Sequence, residues 1–447
     1  MNRRHRHPTR LQARALPFGV VLAVGLAGCA EPGATPAASP PQGVAPDPPP
    51  PPAADRPDLV LVTIDTLRAD RTSLLGHDAP TTPSLDALGA RGWVFERAIA
   101  PAPWTLPSVT STFTGLWPRE HGVTARDRRL PEGVDTVAER LQRQGYETAF
   151  FGVNAAFVTG HGLPQGFETW QPATGKSAAQ LNREIATFLA ARTDPRPLFL
   201  AVHYFEPHCP YAPPKATRAR FGIPPGPPDP VPPEALARLG DCYVVRDDAG
   251  APSADRRAYL ARYDGEVATA DRAVGDLWRM VAPLDPSLVL LADHGEAFWE
   301  HGLHGHGAHL TQEQVHVPML FVGPGVRPAR IDRTVSTLWA SQALLALGAG
   351  APLPQPDGEV FSETRYAGRD AVAVFDGAAV QQRDLQTGRS WRVDLGADPG
   401  EERRLDPQRA FAARLDAHLA RQPATPAAPQ DVTDAEQQAL QALGYQD

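Results

Sequence analysis

The chain has 447 residues, 42% of them hydrophobic and 21% charged, and its 43 Lys and Arg against 51 Asp and Glu give a formal net charge of −8. That length suits one large α/β domain with a smaller appendage, and the acidic balance argues against a nucleic-acid or other polyanionic partner. Three cysteines are too few for a disulfide framework. Proline is the oddity: its 49 residues are roughly twice average usage.

Residues 1–14 carry five arginines (Arg3, Arg4, Arg6, Arg10 and Arg14) and no acid, and Ala15 to Gly28 run almost wholly apolar. The apolar run is too short to span a membrane comfortably, and its basic flank matches a secretory signal. Leu26-Ala27-Gly28-Cys29 resembles a bacterial lipobox, which implies cleavage before Cys29 and lipidation of its thiol. A plain signal peptide with an incidental cysteine is the alternative. Residues 1–28 are therefore read as a signal, and losing their five arginines takes the formal charge from −8 to −13. The membrane link then rests on lipid rather than on charge. The expected location is the cell envelope, on a lipid anchor facing the periplasm or the exterior. Residues 29–57 are the lipidated cysteine and a linker. Ala30 to Pro57 holds eleven prolines in 28 residues, a composition that favours an extended, semi-rigid spacer.

From Asp58 the composition becomes globular. Leu59 to Ile64 is a continuous apolar run that stops at Asp65. Leu198 to Val202 stops at His203, with Glu206 and His208 just beyond, and Ser287 to Ala292 stops at Asp293-His294. Runs without alternation mark strands buried on both faces, as in a parallel sheet. Helical patterns lie between them: Val134, Val137 and Leu141 before Gly145; Leu181, Ile185 and Phe188; and Val267 to Val281. Strand–helix alternation predicts an α/β fold, whose ligands bind beyond the carboxyl ends of the strands. Those ends carry Asp, His and Glu, which are oxygen and imidazole metal ligands.

Several ordered motifs point further. They are Asp65-Thr66-Leu67-Arg68-Ala69-Asp70, Thr81-Thr82-Pro83-Ser84-Leu85-Asp86, Trp104-Thr105-Leu106-Pro107-Ser108, Ala292-Asp293-His294-Gly295-Glu296 and Glu300-His301-Gly302 with Gly305-His306-Gly307. With Asp394-Leu395, Asp398-Pro399-Gly400-Glu401 and Gln441 to Tyr445, they resemble the sulfatase family of the alkaline phosphatase superfamily over nearly all of Asp58 to Tyr445. The resemblance implies a mostly parallel sheet flanked by helices, spanning 58–349, and a small C-terminal antiparallel sheet in 350–447. It also implies a metal-dependent ester hydrolase acting on an anionic ester.

In that family the nucleophile is a Cys or Ser oxidised to formylglycine, within a Cys/Ser-x-Pro-x-Arg motif. Here the position is Thr105, which is no substrate for that oxidation, and the Arg position is Val109. A threonine hydroxyl is a poor nucleophile until a cation helps withdraw its proton. The bland reading of Thr105 alone is a helix N-cap; the ordered motifs favour catalysis. By resemblance, Asp65, Thr105, Asp293 and His294 form the metal shell for one divalent ion, Mn²⁺, Mg²⁺, Ca²⁺ or Zn²⁺. Thr66 stands where the family often has a second acid, which weakens Ca²⁺. His306 replaces a substrate-gripping lysine, His208 matches the histidine that protonates the leaving group, and Asn154 matches a polar substrate contact. Of the clustered histidines, His304 and His309 are set aside as structural or solvated. Arg68 and Asp70 read equally well as a salt-bridged turn. Ser108 and Thr110 are expected to cap the helix after Thr105.

Tyr211 to Pro233 is a second proline-rich stretch, expected to be irregular and to shape specificity. Cys209 and Cys242 bracket it, as a bridge or as two free thiols. Alternating segments at Ala371–Phe375 and Trp391–Leu395 fit the antiparallel subdomain, Pro423 to Pro429 a loop, and Asp434 to Gly444 a terminal helix. The leading function is phosphoester or phosphodiester hydrolysis, or phosphoryl transfer, through a covalent Thr105 intermediate. The alternatives are sulfate-ester hydrolysis without formylglycine and an inactive cell-surface binding protein.

Overall fold

The structure, a computed structural model, describes residues 56–223, 245–246 and 253–430, apart from residue 367. The signal, Cys29, the proline spacer through Asp55, Cys242 and the helix expected at 434–444 lie outside the described residues.

Eight strands form the main sheet: β1 (Leu59–Ile64), β2 (Trp93–Ile99), β3 (Glu147–Val153), β4 (Thr169–Ala173), β5 (Leu198–Tyr204), β6 (Ser287–Ala292), β7 (His316–Val322) and β8 (Ala329–Ser336). Their order across the sheet is β8-β2-β7-β6-β1-β5-β3-β4. β7 runs antiparallel to both neighbours and the other pairs are parallel. Every residue of β1, β5 and β6 is buried, as their continuous apolar sequences require of strands covered on both faces. β5 runs past the expected stop at His203 to Tyr204, because His203 is itself a strand residue whose ring hydrogen-bonds Thr63 Oγ1 of β1 at 2.8 Å.

The helices that matter here are α1 (Thr105–Thr114), α2 (Val137–Arg143), α3 (Ala178–Ala191), α4 (Ser253–Val281), α5 (Trp339–Gly348) and α6 (Arg409–Leu419). α2 starts after the expected Val134 because Thr136 and Glu139 close a capping box, each side chain bonding the other's backbone N–H at 3.0 and 2.8 Å. α4 is twice as long as the pattern at 267–281 implied, since its N-terminal half is polar; Val267, Ala270, Val274, Leu277 and Val281 form its buried stripe. The core beside β3 is aromatic: Phe150 stacks on Trp170 at 4.1 Å and meets Phe113, Phe157 and Phe167 within 6 Å.

A four-stranded antiparallel sheet follows, β9 (Val360–Tyr366), β10 (Arg369–Asp376), β11 (Ala379–Asp384) and β12 (Ser390–Asp394), in that order. Phe411 and Leu415 of α6 pack on it against Phe361, Val372 and Val374. Two loop expectations need correction. Lys215–Arg220 is a short helix inside the stretch read as irregular, opened by Pro214, whose fixed φ suits a helix start. Ala428 and Pro429, read as loop, pair as a short strand with Arg128–Arg129.

α4 also carries a buried acid. Burial, and then the nearby Glu206, push the Glu266 carboxyl from 4.5 up to about 8. A raised folded-state value means stability present below the unfolded value and lost as pH rises through the folded one. The free energy of unfolding is therefore expected to fall between about pH 4.5 and pH 8, and Glu266→Gln to flatten that fall. Denaturant titrations at several pH values check this; an unchanged slope in the variant contradicts it.

Candidate active site

The four central parallel strands β6, β1, β5 and β3 are neighbours, and their carboxyl ends form one rim. Ile64 at the end of β1 sits opposite Ala292 and Tyr204, so Asp65 emerges beside Asp293. Asp65, Asp293 and His294 are all 0% exposed, and each offers a ligand atom within 4.8 Å of the others. His294 Nε2 lies 3.5 Å from both Asp65 Oδ1 and Asp293 Oδ2, and 3.2 Å from Thr105 Oγ1. The sequence-predicted metal shell is thus brought together from three chain segments.

The remaining atoms of these groups are engaged. Asp65 Oδ2 accepts from Asn154 Nδ2 at 2.7 Å and lies 3.5 Å from His203 Nε2. Asp293 Oδ1 accepts the N–H groups of Thr66 and His294 at 3.2 and 2.8 Å. His294 Nδ1 faces the Gly295 carbonyl at 2.9 Å, so it carries the proton and Nε2 keeps its lone pair. Asp65 Oδ1 and Asp293 Oδ2 are buried without a hydrogen-bond partner. Such oxygens carry a desolvation penalty that hydrogen bonds normally offset. Two carboxylate oxygens, an imidazole nitrogen and a hydroxyl are the donor set of a divalent cation, and the arrangement fits one.

The electrostatics follow from this crowding. Burial raises the Asp65 carboxyl, but His208, His203 and His294 outweigh it and hold it well below the usual range. Burial and then Asp65 push Asp293 up. Burial and then His306 lower His294 to about 3, so its imidazole is neutral, as a ligand must be. Thr66, where the family often has an acid, has φ 55°. That left-handed conformation costs a β-branched residue on the order of 1–3 kcal/mol. It is fixed by the N–H bond to Asp293 and by Tyr263 Oη, which donates to the Thr66 carbonyl at 2.6 Å.

Thr105 is the first residue of α1, a helix buried along its whole length and closed by Gly115 at φ 74°. Trp104 precedes it in extended conformation, and the first N–H groups of a helix have no partner within it, so this end favours negative charge. The expectation that Ser108 and Thr110 cap this helix is wrong. Both lie inside it: Ser108 Oγ donates to the Asp293 carbonyl at 2.5 Å and Thr110 Oγ1 to the Leu106 carbonyl at 2.6 Å. A hydroxyl one turn in bonds an available carbonyl instead of the helix end. The Ser108 bond ties α1 to the end of β6. Val109, at the family's arginine position, is 0% exposed in the core.

His306 and His208 complete the cluster, the His306 ring lying 4.4 Å from His294 and 5.3 Å from His208. His208 Nδ1 faces the Cys209 carbonyl at 2.8 Å, and Nε2 is buried without a hydrogen-bond partner. Burial lowers the His208 pKa against the pull of Asp65. Asn154, expected at the substrate, caps the following short helix through Oδ1 and orients Asp65 through Nδ2. Cys209 is disulfide-bonded, and its expected partner Cys242 lies outside the described residues. His304 sits among Trp299, Tyr259 and Phe298, and His309 lies 3.5 Å from Arg369 Nη2. Arg68 and Asp70 do form the salt bridge, at 2.7 Å.

Three site residues escaped the sequence reading. Glu296 Oε1 bonds His306 Nδ1 at 3.0 Å, and Tyr211 Oη donates to Glu296 Oε2 at 2.9 Å. The pair sets which His306 nitrogen faces the site. His203 supports Asp65. Glu296 had a signal, being a carboxylate close behind Asp293-His294, and so did His203, where an apolar run stops; Tyr211 had none beyond proximity to His208.

The Sulfatase family model matches residues 57–348, more than half of the chain. The chain belongs to the sulfatase family. A Δ4,5-hexuronate-2-O-sulfatase of Bacteroides thetaiotaomicron is 21% identical over 314 residues, 62% of this chain. The chain spans 64% of that relative's length. A phosphonate monoester hydrolase of Agrobacterium radiobacter superposes with TM-score 0.64 at 20% identity, covering 81% of this chain and 94% of that one. A protein solved with its substrate D-glucosamine-2-N,6-O-disulfate gives TM-score 0.66 at 16% identity, covering 82% and 96%. These likenesses show the same mixed α/β fold, and the named relatives are hydrolases. Family members generally use a divalent metal, and this chain's candidate ligands stand where one fits.

If Asp65, Asp293 and His294 hold the ion, Asp293→Asn removes one of two anionic ligands. Elemental analysis of the purified variant is expected to find most of the metal gone. Full occupancy would place the ion elsewhere.

Proposed function

We propose that this chain hydrolyses an anionic ester, with Thr105 as nucleophile and phosphorus as the attacked centre. The observation that carries the reading is the Thr105 hydroxyl at a buried helix N-terminus, 3.2 Å from His294 Nε2 beside two buried carboxylates. When bound, a divalent cation supplies positive charge that eases loss of the Thr105 proton and offsets charge on the ester. Asp65, Asp293 and His294 would hold it, with Asn154 and His203 orienting Asp65.

In the proposed reaction the Thr105 oxygen forms a bond to phosphorus as the bond to the leaving oxygen breaks. The Thr105 proton passes to solvent, and His208, once it has taken up a solvent proton at Nε2, gives that proton to the leaving oxygen. The α1 N-terminus and His306, oriented by Glu296 and Tyr211, stabilise the non-bridging oxygens. Water then attacks the phosphothreonine and regenerates the hydroxyl; an acceptor alcohol in its place makes the reaction a transfer. Mn²⁺, Mg²⁺ and Zn²⁺ suit the site better than Ca²⁺, because Thr66 contributes no carboxylate. Sulfate-ester hydrolysis by the same threonine is the second reading, favoured by the names of the relatives.

We further propose that residues 1–28 are a signal and that Cys29 carries a lipid. β1 begins at Leu59, at the end of the strand away from Asp65. Cys29→Ser is expected to shift the protein from the membrane to the soluble fraction or to leave it unprocessed. Identical partitioning and processing would refute the anchor.

The nucleophile is tested by Thr105→Ala, expected to lower turnover of aryl phosphate or sulfate esters by about three orders of magnitude or more while leaving metal content largely intact, since both anionic ligands and His294 remain. Mass spectrometry after incubation with a slow phosphoester is expected to find a phosphoryl group on Thr105. A sulfuryl adduct after parallel incubation with a slow sulfate ester, with none from the phosphoester, promotes the second reading, and wild-type activity in Thr105→Ala rejects the covalent route.

A further inference from the structure

The end of β9 reaches from the C-terminal sheet into the rim. The Tyr366 ring lies 5.1 Å from the Trp104 ring, tilted by 48°, and Trp104 immediately precedes Thr105. A Cβ on Gly307 would meet Tyr366 Cδ1 at 2.7 Å, so Tyr366 also lies against the backbone that follows His306. Gly307 has φ 101°, so a side chain there would be strained as well as obstructed. Arg126 closes a third side, with its guanidinium carbon 5.8 Å from the Tyr366 ring centroid and Nη2 donating to the phenol oxygen at 3.1 Å.

The strand behind this ring is fastened to the same two segments. Thr364 Oγ1 donates to the Gly307 carbonyl, and the Glu363 N–H donates to the Pro101 carbonyl at 2.9 Å. The Glu363 carboxylate holds Arg119 at 2.8 Å. A cavity of about 280 Å³ adjoins the stack, lined in part by Trp104, Pro107, Thr364 and Arg365. Tyr366 and Arg126 are only half-buried, so a firmly held aromatic ring keeps an exposed portion beside Trp104, the residue before the proposed nucleophile.

We propose that Tyr366, backed by Trp104 and Arg126, is a specificity-determining residue: the wall against which the ester's leaving group rests. A flat ring bound there gains stacking contact and excludes water, whereas a short alkyl group gains neither. The wall therefore selects ring-bearing alcohols over short alkyl ones. This rests on the reading of Thr105 and His306 as the place of reaction, but binding tests it without turnover.

The test is calorimetric titration of the metal-loaded full chain with phenylphosphonate and methylphosphonate, and with benzenesulfonate and methanesulfonate. Wild type is expected to bind the phenyl member of a pair about tenfold more tightly. Tyr366→Phe keeps most of that gap, because the ring remains. Tyr366→Ala reduces it to within about threefold and leaves methyl-ligand affinity within about twofold. Tyr366→Leu preserves bulk without the ring and is expected to lose the gap too, which keeps the test open if the alanine variant misfolds. Equal affinities in wild type, no binding of either pair, a gap that survives Tyr366→Leu, or equal weakening of both ligands overturns the proposal. A protein that shows the gap but turns over no ester refutes the proposed reaction and leaves the wall standing.

Discussion

The structure turns on two carboxylates buried face to face. Asp65 and Asp293 end neighbouring strands, are 0% exposed, and each aims an oxygen without a hydrogen-bond partner towards His294 Nε2. Two like charges in a low-dielectric interior repel and are poorly solvated, so such a pair persists only where something positive sits between or beside them. The neutral His294 ring supplies no such charge, and a divalent cation would. Much nearby geometry serves the pair: Asn154 and His203 on Asp65, the strained Thr66 backbone on Asp293, and Ser108 tying α1 to the end of β6.

The sheet makes that juxtaposition possible. Parallel strands end at the same edge, so side chains from distant parts of the chain meet without long loops. The register of β1 with β5 and β6 brings Asp65 level with the strand ends that lead to His208 and His294. The C-terminal sheet adds the opposite wall: β9 is bonded to the segment before Thr105 and to the segment after His306. The appended subdomain is thereby part of the rim.

The strands and the metal-ligand candidates were legible because each depends on local sequence. Leu59 to Ile64 can hardly be anything but a buried strand, and the residue after such a strand is placed by topology. The helix limits were less legible, since the capping box of Thr136 and Glu139, not the apolar period, decides where α2 begins. Ser108 and Thr110 misled because the helix begins at Thr105, so both lie inside it, where a hydroxyl bonds a nearby carbonyl instead of capping. Glu296 on His306, Tyr211 on Glu296 and Tyr366 on Trp104 are tertiary contacts. The last spans more than two hundred residues, and nothing in the spacing announces it.

The central claim is that the buried carboxylate pair is completed by a cation. The most direct measurement is thermal unfolding of chelator-stripped protein before and after adding Mn²⁺, Mg²⁺ or Zn²⁺. At a hundredfold excess over its Kd, a bound ion adds about 2.7 kcal/mol, which raises Tm by several degrees. The claim predicts that rise in the wild type and its loss in Asp65→Asn. A melting temperature indifferent to every divalent ion would contradict it.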